Sequence, residues 1–177
     1  MGIIVLDRDG VINYDSPDYI KSVNEWQPLP GSIEAIALLS KAGHTIYVAS
    51  NQAGLARGLF DLNTLKKMHE KFLTFVNEAG GEIECIFFCP HHPNDNCECR
   101  KPKIGLLEQI SLHSGKSLVG VPFVGDSVID IQAAISMGCQ PILVETGNGK
   151  LTKANVDDKV PCFIDLLTFA KHFLNIT

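Results

Sequence analysis

Two aspartates, separated by a single residue, follow a short apolar run at the start of the chain. The run Ile3–Leu6 leads directly into Asp7, Arg8 and Asp9. If the run is a buried strand, both carboxylates lie at its carboxyl end, where each raises the pKa of the other unless a cation lies between them. A divalent ion such as Mg²⁺ is the simplest such cation. One carboxylate could then attack an electrophile while the other transfers protons, which is the chemistry of phosphate ester hydrolysis.

Further polar residues follow two more predicted strands. Ser50 and Asn51 come directly after the second strand, and Asp126 follows the fourth by one glycine. The carboxyl ends of parallel strands meet at one edge of a sheet, so these side chains are expected near Asp7. Taken alone, Ser50 could be a turn residue and Asp126 a helix N-cap. Asp130, one helical turn further on, could face the same pocket or be a solvated helix acid.

One dense basic cluster interrupts an otherwise acidic chain. Arg100, Lys101 and Lys103 stand within four residues, and Pro102 keeps the segment in a loop. A run of surface charge is usually only solvated. Because the formal net charge is −5, however, a phosphate-bearing substrate needs local donors, and this cluster is the obvious source. We predict that Lys101 binds the phosphoryl group that is transferred and that Arg100 binds the remainder of the substrate.

The segment 89–99 has a composition typical of a zinc site. It contains three cysteines and two histidines, namely Cys89, His91, His92, Cys97 and Cys99. The first histidine with the three cysteines would complete a closed, tetrahedral Cys3His structural site, and His92 is the alternative imidazole. A disulfide or buried thiols are the other interpretations, and they fit a reducing compartment and a polar loop poorly. Zinc would clamp this loop and hold the basic cluster towards the active site.

Short β-branched runs alternate with amphipathic segments, which predicts a doubly wound α/β fold with a mostly parallel sheet and helices on both faces. The predicted strands are 3–6, 45–49, 85–89, 121–124 and 141–144. The predicted helices are 32–42, one that begins after Asp61 and ends before Gly80, 104–113, 127–137 and 163–173. We find no repeat or linker, so residues 1–177 are expected to form one domain that includes the zinc loop 89–99.

Composition and charge argue against several classes of protein. The 177 residues are 45% hydrophobic and 20% charged, which is typical of a globular domain with its own core. The acidic balance and the lack of a basic track argue against a nucleic-acid partner. No secretory leader and no run of membrane-spanning length is recognised, so a cytoplasmic protein without a membrane partner is expected. An open site on a chain of this size favours a monomer.

Four segments carry a resemblance to a known family. Residues 7–10, 50–52, 100–102 and 125–126 resemble, in order, the four motifs of the haloacid dehalogenase-like phosphatases, and the match spans about residues 3–150. The resemblance implies a minimal cap, a nucleophile at Asp7 that forms an aspartyl-phosphate, and a proton-transfer residue at Asp9. Asp9 would act first as general acid for the departing alkoxide and then as general base for water.

The resemblance also implies a metal site and a phosphoryl-binding site. A Mg²⁺ ion would be held by the Asp7 side chain, the Asp9 backbone carbonyl and the Asp126 side chain. The groups that stabilise the phosphoryl oxygens would be those of Ser50, Asn51 and Lys101. The zinc ligands inferred above agree with those that the resemblance implies.

Within this family the chain is most similar to the branch that hydrolyses a heptose bisphosphate for surface polysaccharide synthesis. The resemblance implies contacts to this substrate from Asp15, Asp18, Asn51, Gln52, Arg57 and Arg100. Two positions depart from the family pattern. Ser50 replaces the usual threonine and retains the hydroxyl, whereas Ala53 replaces the usual serine and loses one possible polar contact.

Several other functions remain open. The nearest is a histidinol-phosphate phosphatase, which is similar and has a zinc loop of the same length, although the segment 54–58 with Arg57 favours the heptose branch. A DNA 3′-phosphatase of the same superfamily fits the acidic charge poorly. A phospho-aspartate receiver domain would store the phosphate, whereas the position of Asp9 beside Asp7 favours hydrolysis. The last alternative is a binding module that is stabilised by zinc and has no catalytic activity.

Overall fold

A six-stranded parallel sheet forms the centre of the fold in a computed structural model, which describes residues 2–176. The strands are β1 (Ile3–Leu6), β2 (Thr45–Asn51), β3 (Cys85–Cys89), β4 (Pro122–Gly125), β5 (Gln140–Val144) and β6 (Cys162–Phe163). Their order across the sheet is β3-β2-β1-β4-β5-β6, and each neighbouring pair is parallel. The predicted doubly wound α/β class is therefore confirmed.

Helices lie on both faces of this sheet. They are α1 (Ser32–Lys41), α2 (Ala53–Ala56), α3 (Leu62–Glu78), α4 (Gly105–Ser114), α5 (Val128–Met137), α6 (Gly149–Lys153) and α7 (Leu166–Phe173), with a 3₁₀ turn at Pro93–Asp95. Among the described helices, none combines the length and the hydropathy needed to cross a lipid bilayer.

The central strand β1 is buried on both faces, and this explains its unbroken apolar run. Successive side chains of a strand point to opposite faces of the sheet. Ile4 and Leu6 pack into one hydrophobic core with α1, α3 and α7, whereas Ile3 and Val5 pack into a second core with α4 and α5. A continuous apolar sequence without alternation is typical of such a doubly covered strand.

The strand order reverses beside β1, and this creates the crevice in which doubly wound folds bind ligands. Leu6, the last residue of β1, pairs with Val48 of β2 and with Val124 of β4. The carboxyl ends of these three strands therefore lie at one edge of the sheet. The polar residues that end or follow β1, β2 and β4 are brought together there.

Helix α3 follows its predicted pattern. Asp61 Oδ1 accepts a hydrogen bond from the Thr64 amide at 2.7 Å, so this aspartate caps the helix. Four residues at helical spacing are fully buried against the sheet, as expected: Leu65, Met68, Phe72 and Val76. This packing fixes the position of α3 on the sheet. It therefore also fixes the polar side chains of α3 that point towards β1.

The structure differs from the predicted elements in two places that matter. Strand β2 continues to Asn51, so Ser50 lies inside the strand and not in a turn after it. The helix predicted for 163–173 begins only at Leu166, because residues 162–163 form β6 and Asp165 Oδ1 accepts a hydrogen bond from the Thr168 amide at 2.7 Å. The short helices α2 and α6 were not predicted.

Residues 10–30, which we call the strap, form the longest connection next to the crevice. Trp26 is fully buried and packs against Phe72 of α3, with ring centroids 5.6 Å apart. Lys71 Nζ donates hydrogen bonds to the carbonyls of Val23 and Trp26 at 2.9 and 2.7 Å. The second half of the strap is thus anchored to α3, while the segment around Asp15 stays exposed beside the crevice.

Candidate active site

Three buried carboxylates meet at the carboxyl edge of the sheet. They belong to Asp7 after β1, Asp126 after β4 and Asp130 in the first turn of α5, and an oxygen of each lies within 4.8 Å of the others. The Lys101 ammonium, which is 2% exposed, lies 2.7 Å from Asp7 Oδ1 and 2.6 Å from Asp130 Oδ1. It also donates a hydrogen bond to the Ala49 carbonyl at 2.8 Å. The sheet therefore places three acids around one cation.

The negative charge of this cluster exceeds the positive charge that faces it. Burial and, after it, the nearby Asp130 carboxylate raise the pKa of Asp126 to about 7. Burial and Asp130 also raise the pKa of Asp7 well above its usual value, although Lys101 opposes them. Burial alone would lower the pKa of Lys101, but the two neighbouring carboxylates raise it. A divalent cation with oxygen ligands, such as Mg²⁺, fits this set because it would supply the missing positive charge.

Close backbone approaches shape the surroundings of Asp126. Asp126 Oδ2 accepts a hydrogen bond from the Asn148 amide at 2.7 Å. Gly10 (φ 83°) and Gly147 (φ 55°) both pass so close to the Asp126 carboxylate that a Cβ at either position would overlap it. Both backbone conformations are those that glycine adopts most easily. The carboxylate is therefore closely surrounded by the backbone of Gly10, Gly147 and Asn148.

Asp130 belongs to the buried carboxylate cluster and is not a solvated helix acid. Its side chain is 1% exposed. Oδ1 faces Lys101, and Oδ2 accepts hydrogen bonds from the Ser127 amide and hydroxyl at 3.1 and 2.5 Å. Ser127 and Asp130 thus form a capping box at the start of α5. The N-cap is Ser127, so the interpretation of Asp126 as a helix cap is wrong.

The Asp9 carboxylate is held apart from the other three. Its oxygens accept hydrogen bonds from Arg8, from Asn13 Nδ2 at 2.8 Å and from Gln52 Nε2 at 2.9 Å. Burial alone would raise the pKa of Asp9, but the Arg8 guanidinium and these hydrogen bonds lower it below its usual value. The Asp9 side chain is not part of the cluster of Asp7, Asp126 and Asp130 that could hold a metal ion. This is expected if only the Asp9 backbone carbonyl contacts a metal.

The three polar residues at the end of β2 differ in what they face. Ser50 is 1% exposed, and its hydroxyl accepts a hydrogen bond from Gln52 Nε2 at 2.7 Å. Gln52 is also buried, and its amide contacts Asp9 and Ser50 instead of the cleft. Asn51 lines the cleft and exchanges two hydrogen bonds with the Lys101 backbone, each 3.1 Å long. Asn51 therefore links β2 to the basic loop.

A cleft of about 270 Å³ opens above the carboxylates. Its lining contains Asp7, Asp9, Asp15, Ser16, Pro17, Tyr19, Asn51, Lys101, Asp126, Ser127, Ile129 and Asn148. Of the predicted substrate-binding residues, Asp15 and Asn51 are therefore in the lining, whereas Asp18, Gln52, Arg57 and Arg100 are not.

The two predicted substrate-binding arginines lie beside the cleft. The Arg57 guanidinium stands over the ring of Tyr19, a cleft residue, at 5.7 Å from the ring centre. Arg100 lines a neighbouring cavity of about 230 Å³ with residues of the zinc loop, and Lys101 borders both cavities. Within the described residues, the buried Arg100 Nη1 has no hydrogen-bond partner.

Sequence reasoning missed three residues that the fold brings to the site. Arg8 received no role from the sequence, yet it is 1% exposed and pairs with Asp9. Tyr19 and Asn148 gave no motif signal. A φ of 65° at Tyr19 is unusual for an aromatic residue, but the sequence does not disclose it.

The zinc-loop cluster forms as predicted from spacing. Ligand atoms of Cys89, His91, Cys97 and Cys99 all lie within 4.8 Å of one another. Four of the S···S and S···N distances are 3.1, 3.2, 3.6 and 3.6 Å. Zn–S bonds of about 2.3 Å in a tetrahedron give ligand separations of about 3.8 Å, so the set fits zinc with little rearrangement. His92 instead accepts a hydrogen bond from the Asn94 amide and caps the 3₁₀ turn.

Zinc removal tests whether this cluster supports the active site. We expect Cys99→Ser to lose the bound zinc, to lower the Tm by about 5 °C or more and to reduce kcat/KM about tenfold or more, because the loop holds Lys101 in place. Metal analysis, thermal melting and phosphatase assays measure the three effects. Cys85→Ser, at a free thiol outside the cluster, is the matched control. A Cys99→Ser protein with stoichiometric zinc and full activity would contradict the assignment.

Comparisons with known proteins show which family the chain resembles. The HAD-hydrolase-like family profile matches residues 98–165. The D-glycero-beta-D-manno-heptose-1,7-bisphosphate 7-phosphatase of Pseudomonas aeruginosa is 56% identical over 150 residues, which are 85% of this chain and 84% of that protein. The protein of the same name from Pseudomonas putida is 50% identical over 175 residues, which are 98% of this chain and 100% of that protein.

A solved structure extends the likeness to three dimensions. The D,D-heptose 1,7-bisphosphate phosphatase from Bordetella bronchiseptica, complexed with magnesium and phosphate, is similar with a TM-score of 0.96 at 47% identity and with 99% coverage of both chains. The resemblance drawn from the four motifs is thereby confirmed. At these identities and coverages, the chain belongs to the D-glycero-beta-D-manno-heptose-1,7-bisphosphate 7-phosphatase family of haloacid dehalogenase-like hydrolases.

Proposed function

We propose that this chain is a Mg²⁺-dependent phosphatase that removes the 7-phosphate of D-glycero-D-manno-heptose 1,7-bisphosphate and so supplies heptose for surface polysaccharide. The observation that carries the proposal is the 50% identity, over 98% of this chain, to a relative with that activity in its name. The acidic cluster with Lys101 in an open cleft is the geometry that such an activity requires. The structural neighbour with bound magnesium and phosphate supports the same choice of ion and ligand.

In the first step, an Asp7 oxygen attacks phosphorus and the bond from phosphorus to the sugar oxygen breaks. The electron pair of that bond goes to the sugar oxygen, which takes a proton from the Asp9 carboxyl group and leaves as an alcohol. A bound phosphate brings negative charge close to Asp9 and favours its protonated form, as a general acid requires. The products are the dephosphorylated sugar and an aspartyl-phosphate at Asp7.

In the second step, water attacks the phosphorus of the aspartyl-phosphate while Asp9 accepts a proton from that water. The bond between phosphorus and Asp7 breaks, and inorganic phosphate leaves. During both steps, the phosphoryl oxygens are stabilised by Lys101, Asn51 and Ser50. Lys101 Nζ lies 2.7 Å from Asp7 Oδ1, next to the side chain that would receive the phosphoryl group.

The metal would be held by the Asp7 and Asp126 side chains and by the Asp9 backbone carbonyl. When bound, Mg²⁺ neutralises part of the charge of the phosphoryl group and of Asp7. Asp130 contacts Lys101 and the Ser127 amide, so we propose that it orients Lys101 rather than replacing a metal ligand. The zinc in the loop 89–99 would be structural, because four protein ligands leave no position for a reactive water.

The remainder of the substrate would extend towards the strap and the basic loop. We assign Asp15 and Asp18 to the sugar hydroxyls, and Arg57 and Arg100 to the far phosphate. Two observations support the arginines: Arg57 stands over a tyrosine of the cleft lining, and Arg100 has a buried nitrogen without a partner. The Gln52 amide donates hydrogen bonds to Asp9 and Ser50. Gln52 would therefore orient Asp9, the proton-transfer residue, and would not contact the sugar.

A substrate comparison tests the proposal. We expect kcat/KM for the heptose 1,7-bisphosphate to exceed that for histidinol phosphate by about a hundredfold or more, because only the bisphosphate offers a second phosphate to the arginines. Steady-state release of inorganic phosphate, with and without Mg²⁺, measures this ratio. Arg57→Ala should lower the ratio without affecting hydrolysis of a small monophosphate. A preference for histidinol phosphate would overturn the substrate, and equal activity in excess chelator would overturn the metal dependence.

The proposal extends to organisation and location. We propose that residues 1–177 form one domain that includes the zinc loop, that the chain works as a monomer, and that it acts in the cytoplasm. The cleft, its carboxylates and the zinc ligands are complete within one copy of the chain, so a monomer would need no second copy to form the site.

A further inference from the structure

The Asp9 carboxylate accepts hydrogen bonds from the guanidinium of its neighbour Arg8 in an uncommon arrangement. Arg8 Nε and Nη2 donate to Asp9 Oδ1 at 3.0 and 2.8 Å, and Nη2 also donates to Oδ2 at 3.0 Å. Adjacent residues in a strand point to opposite faces, so this pairing forms only because the chain turns as β1 ends. The Arg8 side chain is 1% exposed, which keeps water from competing for its donors. Such a planar, charge-assisted fork fixes the plane of a carboxylate.

Arg8 is in turn held by a histidine from α3. Its remaining terminal nitrogen, Nη1, lies 3.4 Å from His69 Nε2. Burial and the Arg8 charge lower the pKa of His69 to about 4, so the ring is neutral near pH 7 and Nε2 can accept a hydrogen bond. The ring of Phe88 in β3 packs edge-on against His69, with centroids 5.9 Å apart. His69 therefore packs between strand β3 and the Arg8 guanidinium.

The two oxygens of Asp9 are unequally occupied. Oδ1 accepts from Arg8 Nε, Arg8 Nη2 and Asn13 Nδ2, whereas Oδ2 accepts from Arg8 Nη2 and Gln52 Nε2. The Asp9 side chain is 22% exposed and lines the cleft. Oδ2 is therefore the oxygen with more capacity left for a proton. A carboxyl group that is fixed in this way presents one defined oxygen to a substrate, which is the geometric condition for efficient proton transfer.

We propose that His69 is a positioning residue for proton transfer: by accepting a hydrogen bond from Arg8 Nη1, it fixes the guanidinium that orients the Asp9 carboxyl group towards the leaving oxygen. This inference rests on the proposed function and adds to it a residue on α3, outside the cleft. When the bond from phosphorus to the leaving oxygen breaks, its electron pair stays on that oxygen, which must receive the Asp9 proton. A misoriented Asp9 therefore impairs esters whose alcohol leaves poorly without a proton.

The dependence on the leaving group tests this role. In His69→Leu, we expect kcat/KM for the alkyl phosphate that the wild-type chain hydrolyses fastest to fall by about thirtyfold, whereas kcat/KM for p-nitrophenyl phosphate falls less than about threefold. The nitrophenolate leaves readily without a proton, and the later hydrolysis of the aspartyl-phosphate is common to both esters. His69→Gln, which retains an acceptor near the position of Nε2, should recover most of the alkyl phosphate activity.

Controls separate positioning from loss of structure. Leu73→Ala truncates a partly buried residue on the same helix without touching Arg8, and it should leave the ratio of the two kcat/KM values unchanged. Equal losses with both esters in His69→Leu, or no loss with either, would overturn the inference while leaving the proposed function intact. A wild-type chain that hydrolyses neither ester would overturn the proposed function and the inference together.

Discussion

Replacement of Asp7 by asparagine is expected to abolish phosphatase activity, with kcat reduced by a factor on the order of 10⁴ or more. Asparagine retains the size of the side chain but removes the nucleophilic oxygen charge, so no aspartyl-phosphate can form. The same change removes one of three buried carboxylates that repel one another. We therefore expect the Tm in the presence of a chelator to stay at or above that of the wild-type chain, despite the weakened contact with Lys101. Steady-state assays and thermal melting measure both effects.

The matched control for this variant is Asp158→Asn, at an exposed position far along the chain. It removes the same charge and should retain full activity. If Asp7→Asn folded normally and kept more than about a hundredth of the wild-type kcat, another residue would have to be the nucleophile. Loss of activity together with a large fall in Tm would instead show that the charge of Asp7 is needed for folding.

Replacement of Lys101 by methionine is expected to reduce both activity and stability strongly. Methionine can fill much of the same space, but it leaves Asp7, Asp126 and Asp130 buried without the ammonium that faces two of them. Breaking a buried charge pair from one side costs about 3–5 kcal/mol of the free energy of unfolding. Loss of a donor to the transferred phosphoryl group should lower kcat by about 10²–10³-fold. Denaturant unfolding in a chelator and steady-state assays in excess Mg²⁺ measure the two effects.

A nearby lysine provides the control for this second variant. Lys103 is in the same basic cluster, but it is partly exposed: its ammonium contacts the exposed Glu98 at 2.8 Å and donates two hydrogen bonds of 3.1 Å to Asn96. Lys103→Met should change the free energy of unfolding by less than about 1 kcal/mol, since ion pairs that water reaches contribute little. Added Mg²⁺ should raise the Tm of Lys101→Met more than that of the wild-type chain, because the acidic cluster has lost its internal cation. Equal stability of the two variants without Mg²⁺ would contradict this account.

The sequence alone was enough to determine the fold class and much of the chemistry. Short β-branched runs alternate with amphipathic segments, which predicts a parallel sheet with helices on both faces, and the unbroken apolar run Ile3–Leu6 is typical of a strand in such a sheet. The zinc ligands from Cys89 to Cys99 lie within a few residues of one another, so their proximity follows from chain connectivity. Asp7 and Asp126 could be placed together because the carboxyl ends of parallel strands share one edge.

Only the tertiary structure decided how the individual side chains are used. Asp130 could have faced water or the pocket, and the choice was made by the packing of α5, which presents it to Lys101. His69 lies 61 residues from Arg8, and their contact depends on how α3 packs on the sheet. Gln52 fits a substrate-binding motif, yet the extension of β2 turns its amide towards Asp9. Periodicity and motifs record local preferences, whereas these contacts depend on the relative placement of elements far apart in the chain.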